Sequence, residues 1–186
     1  MRVLAQITLL IISTAIFGDC SGNKSNVALE TKYGTIIIKL YDDAAPIHSA
    51  NFRKLVSNGF YNGLQFHRIV PGFVIQGGDP NSRGTDKSTY GEGGPGYTLP
   101  AEIGLPHRRG SVGMAREGDE VNPQRRSNGS QFYICVRDLP QLDGKYTVFG
   151  EVVKGMDVVD KIDSLNRDER DVPMNPVYIV KAYLIK

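Results

Sequence analysis

The chain has no tryptophan, only three histidines and only two cysteines, and its 22 basic and 20 acidic residues leave a net charge of +2. Each scarcity removes a class of function. So small a charge gives no footing for nucleic-acid binding, which runs on phosphate neutralisation by clustered cations. His48, His67 and His107 stand at no metal-ligand spacing, so no metal is expected. His48 falls on or beside the inner face of a helix, His67 reads as a structural histidine bonding a backbone group, and His107 reads as part of a surface loop beside Arg108 and Arg109. Cys135 lies in the apolar run "QFYICV" and reads as a core thiol, and two cysteines do not make a disulfide framework. There is no G-x-S-x-G elbow, and no acid and histidine follow the serines in an order that assembles a nucleophile. "GEGGPG" (residues 91–96) satisfies G-x-G-x-x-G in form, but Pro95 and the "YTLP" after it offer no helix to face a pyrophosphate, so no dinucleotide cofactor is expected.

What is present is an ordinary globular composition, 40% hydrophobic and 23% charged over 186 residues, enough for one domain with a real core. The first twenty residues, "MRVLAQITLLIISTAIFGDC", differ from the rest: one arginine precedes an uncharged run from Val3 to Gly18 that is short for a bilayer span and lacks a cationic stop-transfer flank. That is the shape of a secretory signal over residues 1–20. Cys20, at its end, resembles the lipidated cysteine of a bacterial lipobox, although Asp19 stands where a small residue is usual; ordinary cleavage, for instance after Gly18, is the rival. The expectation is an exported protein, periplasmic or membrane-anchored, touching the membrane only through a lipid on Cys20. Residues 21–26, "SGNKSN", form a polar tether that reaches about 20 Å fully extended.

A β pattern begins at Val27. "VALETKYGTIIIKLY" contains two runs with a turn near Gly34, and the isoleucine-rich second run predicts a strand buried on both faces. "DDAAPIHSANFRKLVSNG" predicts a helix: Pro46 suits its first turn, Asp42 and Asp43 complement the dipole, Gly59 closes it, and His48, Phe52, Leu55 and Val56 share the inner face. Short strands follow at about 64–70, 73–77, 97–100, 111–115, 130–136 and 146–153. "MDVVDKIDSL" predicts a second helix and "NPVYIVKAYLIK" a closing strand. Many short strands with two helices point to a sandwich or closed barrel, since closure removes exposed sheet edges.

Two stretches carry the chemistry. In "FHRIVPGFVIQGGD" (residues 66–79) an arginine sits in an apolar run that ends in a glutamine among glycines, and a buried arginine is either paired or aimed at something. In "SNGSQFYICV" (residues 127–136) the period of two puts Gln131 and Tyr133 on one strand face and Phe132 on the other; likewise Val74 and Gln76 share a face opposite Phe73 and Ile75, unless a bulge re-aims one of them. Spacing alone leaves open whether these polar residues are strand rims or a convergent site.

These two stretches, followed in order by "GSVGMAR", "LDGKYTVFGEVVKGMDVVDKI" and a terminal "PV.I" strand, resemble the cyclophilin family of peptidyl-prolyl isomerases over essentially residues 27–186. The resemblance implies a mainly β fold, a closed eight-stranded antiparallel barrel capped by two helices, with an external peptide groove, no metal and no cofactor. It implies a monomer that acts on proline-containing polypeptides and assists the folding of exported proteins. By position, Arg68 resembles the catalytic arginine. Phe73, Val74, Tyr133 and Leu142 resemble the walls of a proline pocket, and Gln76 and Gln131 the polar groups beside the arginine. Ala115 and the backbone of Arg116 resemble the segment that bonds the substrate main chain, Gly84 an outer loop, and Tyr146 a position where histidine is also found. The segment "AREGDEVNPQRR" is longer than in short eukaryotic members. Gln141 replaces a tryptophan that contacts cyclosporin, so weak cyclosporin binding is expected. A peptide-binding or chaperone module with incidental activity is the alternative. A lipocalin-like ligand barrel would need an open lumen, which the bulky Ile and Phe content of the strands argues against.

Overall fold

The computed structural model describes residues 25–185; the signal segment, Cys20 and most of the tether lie outside the described residues. Eight strands form one antiparallel sheet: β1 (Asn26–Thr31), β2 (Gly34–Leu40), β3 (Phe66–Val70), β4 (Val74–Gly77), β5 (Ser111–Met114), β6 (Phe132–Cys135), β7 (Val148–Lys154) and β8 (Lys181–Ile185). Their order across the sheet is β3-β4-β6-β5-β7-β2-β1-β8. Helix α1 (Pro46–Ser57) packs against β7 and β8, and α2 (Met156–Asp163) against β2, β3 and β4.

The sheet curls until its two ends approach, but β3 and β8 do not pair as strands. The gap is spanned by the chain on either side: the Phe66 N–H donates to the Val177 carbonyl (2.9 Å), Ile179 N–H to the Leu64 carbonyl (2.7 Å) and Gly63 N–H to the Ile179 carbonyl (2.8 Å), around a single bridge between Gln65 and Tyr178. The expected full closure is therefore replaced by a seam, and the closing strand is shorter than its apolar pattern because residues 177–179 serve that seam instead of the β1–β8 ladder.

The interior is filled. Phe52 of α1 enters one end and packs against Phe132 (edge-on, 5.3 Å), Phe149 (5.1 Å) and Tyr61 (4.9 Å), with Leu29, Ile36, Ile38, Ile75 and Met114 around them. Aromatic pairs at these spacings add to the burial of large apolar area, and they leave no lumen of the lipocalin kind.

Three element-level expectations need correction. The β2 strand is buried on one face only: Ile36, Ile38 and Leu40 point inward, whereas Ile37 is half-buried and Lys39 is exposed beside Glu151 of β7. Residues 97–100 form no strand; Leu99 and Ser127 exchange one reciprocal pair of backbone hydrogen bonds (2.9 Å each), because Pro100 has no N–H to extend a ladder. Asp42 and Asp43 lie outside the first turn of α1, and Asp42 instead pairs bidentately with Arg53. The exposed N–H groups of α1 are capped from a distance by Glu102, whose carboxylate accepts from Ile47 N–H (3.0 Å) and His48 N–H (2.9 Å), which supplies the anion that a helix N-terminus favours.

Candidate active site

A single row of cross-strand neighbours runs over the outer face of the sheet: Arg68 on β3 opposes Gln76 on β4, Gln76 opposes Tyr133 on β6, and Tyr133 opposes Gly113 on β5. Simple alternation from Phe66, which points into the core, would send Arg68 inward as well. A bulge between Phe66 and Arg68 prevents this. His67 is the extra residue, and the changed parity keeps Phe66 and Ile69 buried while Arg68 is exposed. The tight turn after β3 places Pro71 and Gly72 at its centre, with Gly72 at φ 62° and Phe73 N–H donating to the Val70 carbonyl (3.0 Å); glycine is the residue such a turn requires. Phe73 belongs to that turn and not to β4, so it is free of the strand's alternation and joins the outer face.

The row carries a pocket of about 160 Å³ lined by Arg68, Phe73, Val74, Gln76, Ala115, Arg116, Tyr133, Leu142 and Tyr146. Its floor is a second apolar cluster, Val74, Tyr133, Cys135 and Leu139, separated from the barrel core by the sheet itself. Cys135 is thus a buried free thiol, as its apolar run suggests, though on the outer side of the sheet; burial pushes it up to about 12. A larger hollow of about 490 Å³, around Lys39, Tyr41 and Arg109, is lined by none of the residues just named.

At the rim, Arg68 Nη1 donates to Gln76 Oε1 (3.4 Å), Gln76 Nε2 to Gln131 Oε1 (2.9 Å), and Gln131 Nε2 to the carbonyls of Gly91 (2.8 Å) and Gly93 (2.7 Å). The "GEGGPG" loop therefore has a task unrelated to nucleotides: its carbonyls anchor the glutamine chain that holds the arginine. Arg68 also has a carboxylate neighbour, Asp171, with Nη2 3.7 Å from Oδ2. Sequence reasoning from the apolar stretch around Arg68 gave it no such partner, because Asp171 is a hundred residues away in a loop. Both groups are substantially exposed, so solvent screens the pair; its effect is to bias the direction of the guanidinium.

Of the predicted residues, Gln131 is buried behind Gln76 and lines no part of the pocket, and Gly84 sits apart, at the end of the short 3-10 turn Pro80–Arg83, its carbonyl accepting from Tyr90 Oη (2.8 Å). Arg116 contributes more than backbone. Its guanidinium lies 4.6 Å from the centre of the Tyr146 ring and bonds Asp119 (2.7 Å) and the Lys145 carbonyl (2.9 Å), so the long loop after β5 braces the pocket wall.

His67 packs edge-on to Tyr90 (6.2 Å), and the expected backbone partner is present as the Gln65 backbone, which acts on the ring as a hydrogen-bonding group although neither ring nitrogen reaches ordinary hydrogen-bond geometry. Burial dominates and lowers its proton affinity. His107 is not a surface residue either. It is 2% exposed, with Nδ1 2.9 Å from Asp143 Oδ1 and Nε2 2.9 Å from the Tyr133 hydroxyl. The polar "PHRRG" context hid it; the available signal was Tyr133, since a tyrosine buried on a strand face needs a partner for its hydroxyl. Among the described residues no three His, Cys, Asp or Glu side chains converge as metal ligands do.

A family model described as cyclophilin type peptidyl-prolyl cis-trans isomerase matches residues 26–184. A probable peptidyl-prolyl cis-trans isomerase of Brucella suis is 45% identical over 165 residues, covering 86% of this chain and 82% of that protein. A peptidyl-prolyl cis-trans isomerase of Schizosaccharomyces pombe is 39% identical over 160 residues, covering 85% and 97%. Among solved structures, a cyclophilin type peptidyl-prolyl cis-trans isomerase of Cryptosporidium parvum superposes with a TM-score of 0.77 at 31% identity, covering 87% of this chain and 98% of that one. A second structure of that protein, obtained in the presence of the dipeptide Ala-Pro, superposes with a TM-score of 0.76 at 30% identity, covering 87% and 99%. With its eight-stranded sheet, its two helices and a match over nearly all the described residues, the chain belongs to the cyclophilin-type peptidyl-prolyl cis-trans isomerase family.

Proposed function

We propose that the chain isomerises X-Pro bonds in polypeptides, with Arg68 as the catalytic residue and the small pocket beside it as the seat of the proline ring. The observation that carries this reading is the position of the guanidinium: it stands at the rim of a small pocket with an apolar floor, tethered by Gln76 and still exposed. The Cryptosporidium relative's structure in the presence of Ala-Pro supports the ligand class.

Amide resonance sets an uncatalysed barrier of about 18–20 kcal/mol, and turnover takes tens to hundreds of seconds. Reaching about 10² to 10³ turnovers per second means lowering the barrier by about 5–7 kcal/mol. No bond breaks, so no nucleophile or cofactor is called for. At the twisted state the imide nitrogen loses conjugation and exposes a lone pair. An N–H donor aimed at that nitrogen binds the twisted state better than either planar one, which is what acceleration requires. Arginine suits the role because its fork of donors is rigid and keeps its charge. The Gln76–Gln131–glycine-loop chain holds that fork before substrate arrives, Phe73, Tyr133 and Leu142 clamp the ring, and the Arg116 backbone grips the preceding residue, fixed in place by Ala115, whose own N–H and carbonyl are bonded to Gln131 and Asn128, so that rotation is confined to one bond.

Arg68→Ala is expected to lower kcat/KM in a proline-peptide assay by about 10²–10³-fold, the loss usual for a preorganised donor, with KM changed far less. Wild-type protein that binds proline peptides without turning them over would replace the enzyme by a binding module.

The same reading extends to the cell: an exported monomer that assists the folding of exported proteins, held at a membrane by a lipid on Cys20. The support is the uncharged run before Cys20 and the short polar segment after it. Mass spectrometry of the mature protein is expected to find a lipidated amino-terminal Cys20; a free amino terminus near residue 19 would remove the anchor and leave the export.

A further inference from the structure

Tyr133 is a wall of the pocket whose polar end is tied, through the buried His107, to the exposed carboxylate of Asp143. Asp143 Oδ1 accepts from the His107 backbone N–H (2.7 Å) and stands 2.9 Å from His107 Nδ1. An ionised carboxylate can only accept, so Nδ1 carries the proton, and the neutral ring then offers Nε2 as an acceptor to the Tyr133 hydroxyl 2.9 Å away. Every proton in the chain has one place. The phenol reaches this position because Gly113 lies beneath it: a Cβ there would fall 2.4 Å from the Tyr133 Cζ and hydroxyl. Among the described residues this is the phenol's single hydrogen bond.

We propose that His107 and Asp143 are positioning residues for the proline pocket, seating the Tyr133 ring while His107 is neutral and loosening it when protonation of His107 reverses their hydrogen bond and leaves the phenol's own hydrogen without its acceptor, so that proline-peptide binding weakens in acid. The inference rests on the reading that this pocket takes the proline ring. Protonation puts a hydrogen on Nε2, directed at the phenol oxygen, and the phenol's own hydrogen must leave that line. The groups that face it from the neighbouring elements offer no better acceptor. The Tyr146 ring stands edge-on to both His107 (6.4 Å) and Tyr133 (6.0 Å), with the Arg116 cation over its face. Cys135 sits beside Tyr133 as a protonated thiol, and Asp143 is already committed to His107. Arg108, paired with Asp138 at 3.1 Å, helps hold Asp143 ionised, while Asp143 in turn raises the proton affinity of Asp138. Burial lowers the proton affinity of His107, and Asp143 partly restores it. By reciprocity, whatever the seated ring does to disfavour the imidazolium, the imidazolium does to disfavour the seated ring.

The test measures kcat and KM between pH 5 and 8 by exchange NMR on a blocked Ala-Pro peptide with no titrating group, alongside the titration of the His107 ring protons with and without that peptide. In the wild type KM is expected to rise by at least about fivefold toward acid, the lower end of ordinary coupling between sites, with kcat changed less, and bound peptide is expected to move the His107 titration to lower pH. Tyr133→Phe, which keeps the ring and removes the hydroxyl, is expected to flatten the KM profile, as is His107→Gln, which offers an amide oxygen that does not titrate. Asp143→Asn is expected to shift the acid limb to lower pH without abolishing it. Superimposable KM profiles for wild type and Tyr133→Phe, or a His107 titration indifferent to bound peptide, overturn the proposal. Failure of the isomerase reading shows differently, as peptide bound by the wild type without turnover at any pH.

Discussion

Gly113 shows how much of this site depends on a missing side chain. It lies on β5 directly across from Tyr133, and the tyrosine ring occupies the space its Cβ would take. In Gly113→Ala the ring must swing, because ring atoms at 2.4 Å cannot remain there; the phenol then leaves His107, and the pocket wall tilts. We expect a loss of about 1–3 kcal/mol in unfolding free energy, the usual cost of overpacking, together with a several-fold rise in KM for proline peptides. A thermal melt and a kinetic titration check this, and a variant matching wild type in both would show that Tyr133 is not seated against β5. At this scale the sequence was legible in part. Period two correctly paired Gln131 with Tyr133 and Val74 with Gln76, because strand alternation is local. It could not place Arg68, whose outward direction comes from the bulge at His67, nor His107, whose partners lie 26 and 36 residues away in the chain.

Elements were easier to read than their edges. Both helices stand where the periodicity puts them: the buried residues of α1 include His48, Phe52, Leu55 and Val56, and α2 buries Val158, Val159 and Ile162 with Leu165 half-buried behind them. What failed was inference from composition where long-range pairing decides. An isoleucine-rich β2 suggested burial on both faces, but a curled sheet has an outside, and Ile37 and Lys39 are on it. Asp42 and Asp43 are near enough in sequence to complement the α1 dipole, but Glu102, more than fifty residues on, supplies the carboxylate at its N-terminus. The loop after β5 was marked only as long. Its structure explains the length: Arg116 reaches back under Tyr146, Arg125 donates to the Gly144 carbonyl (2.7 Å) and both meet Asp119, while Arg126 reaches the Thr98 carbonyl (2.9 Å). A short connection could not tie the Tyr146 segment and the Thr98 segment together.

For the whole molecule, the three histidines share one property that none shows in the sequence: all are buried, at 0–2% exposure, and burial is the leading cause that lowers the proton affinity of each below the ordinary 6.5. Glu102, Asp79 and Asp143 oppose the shift at His48, His67 and His107 without reversing it. The unfolded chain therefore takes up protons near pH 6.5 that the folded protein refuses until lower pH, so stability must fall as pH drops through that value. The carboxylates add to the loss further down. Hydrogen bonds outweigh desolvation in lowering Glu102, and Asp143 is held down first by the His107 N–H, so both bind protons more readily once unfolded. We expect a melting temperature that is flat above about pH 7 and declines steadily from there to pH 5, with a shallower decline in His107→Gln, which removes one of the three sites. Calorimetric melts across that range check it, and a melting temperature that holds or rises between pH 7 and 5 would mean that the histidines are not buried in their neutral form.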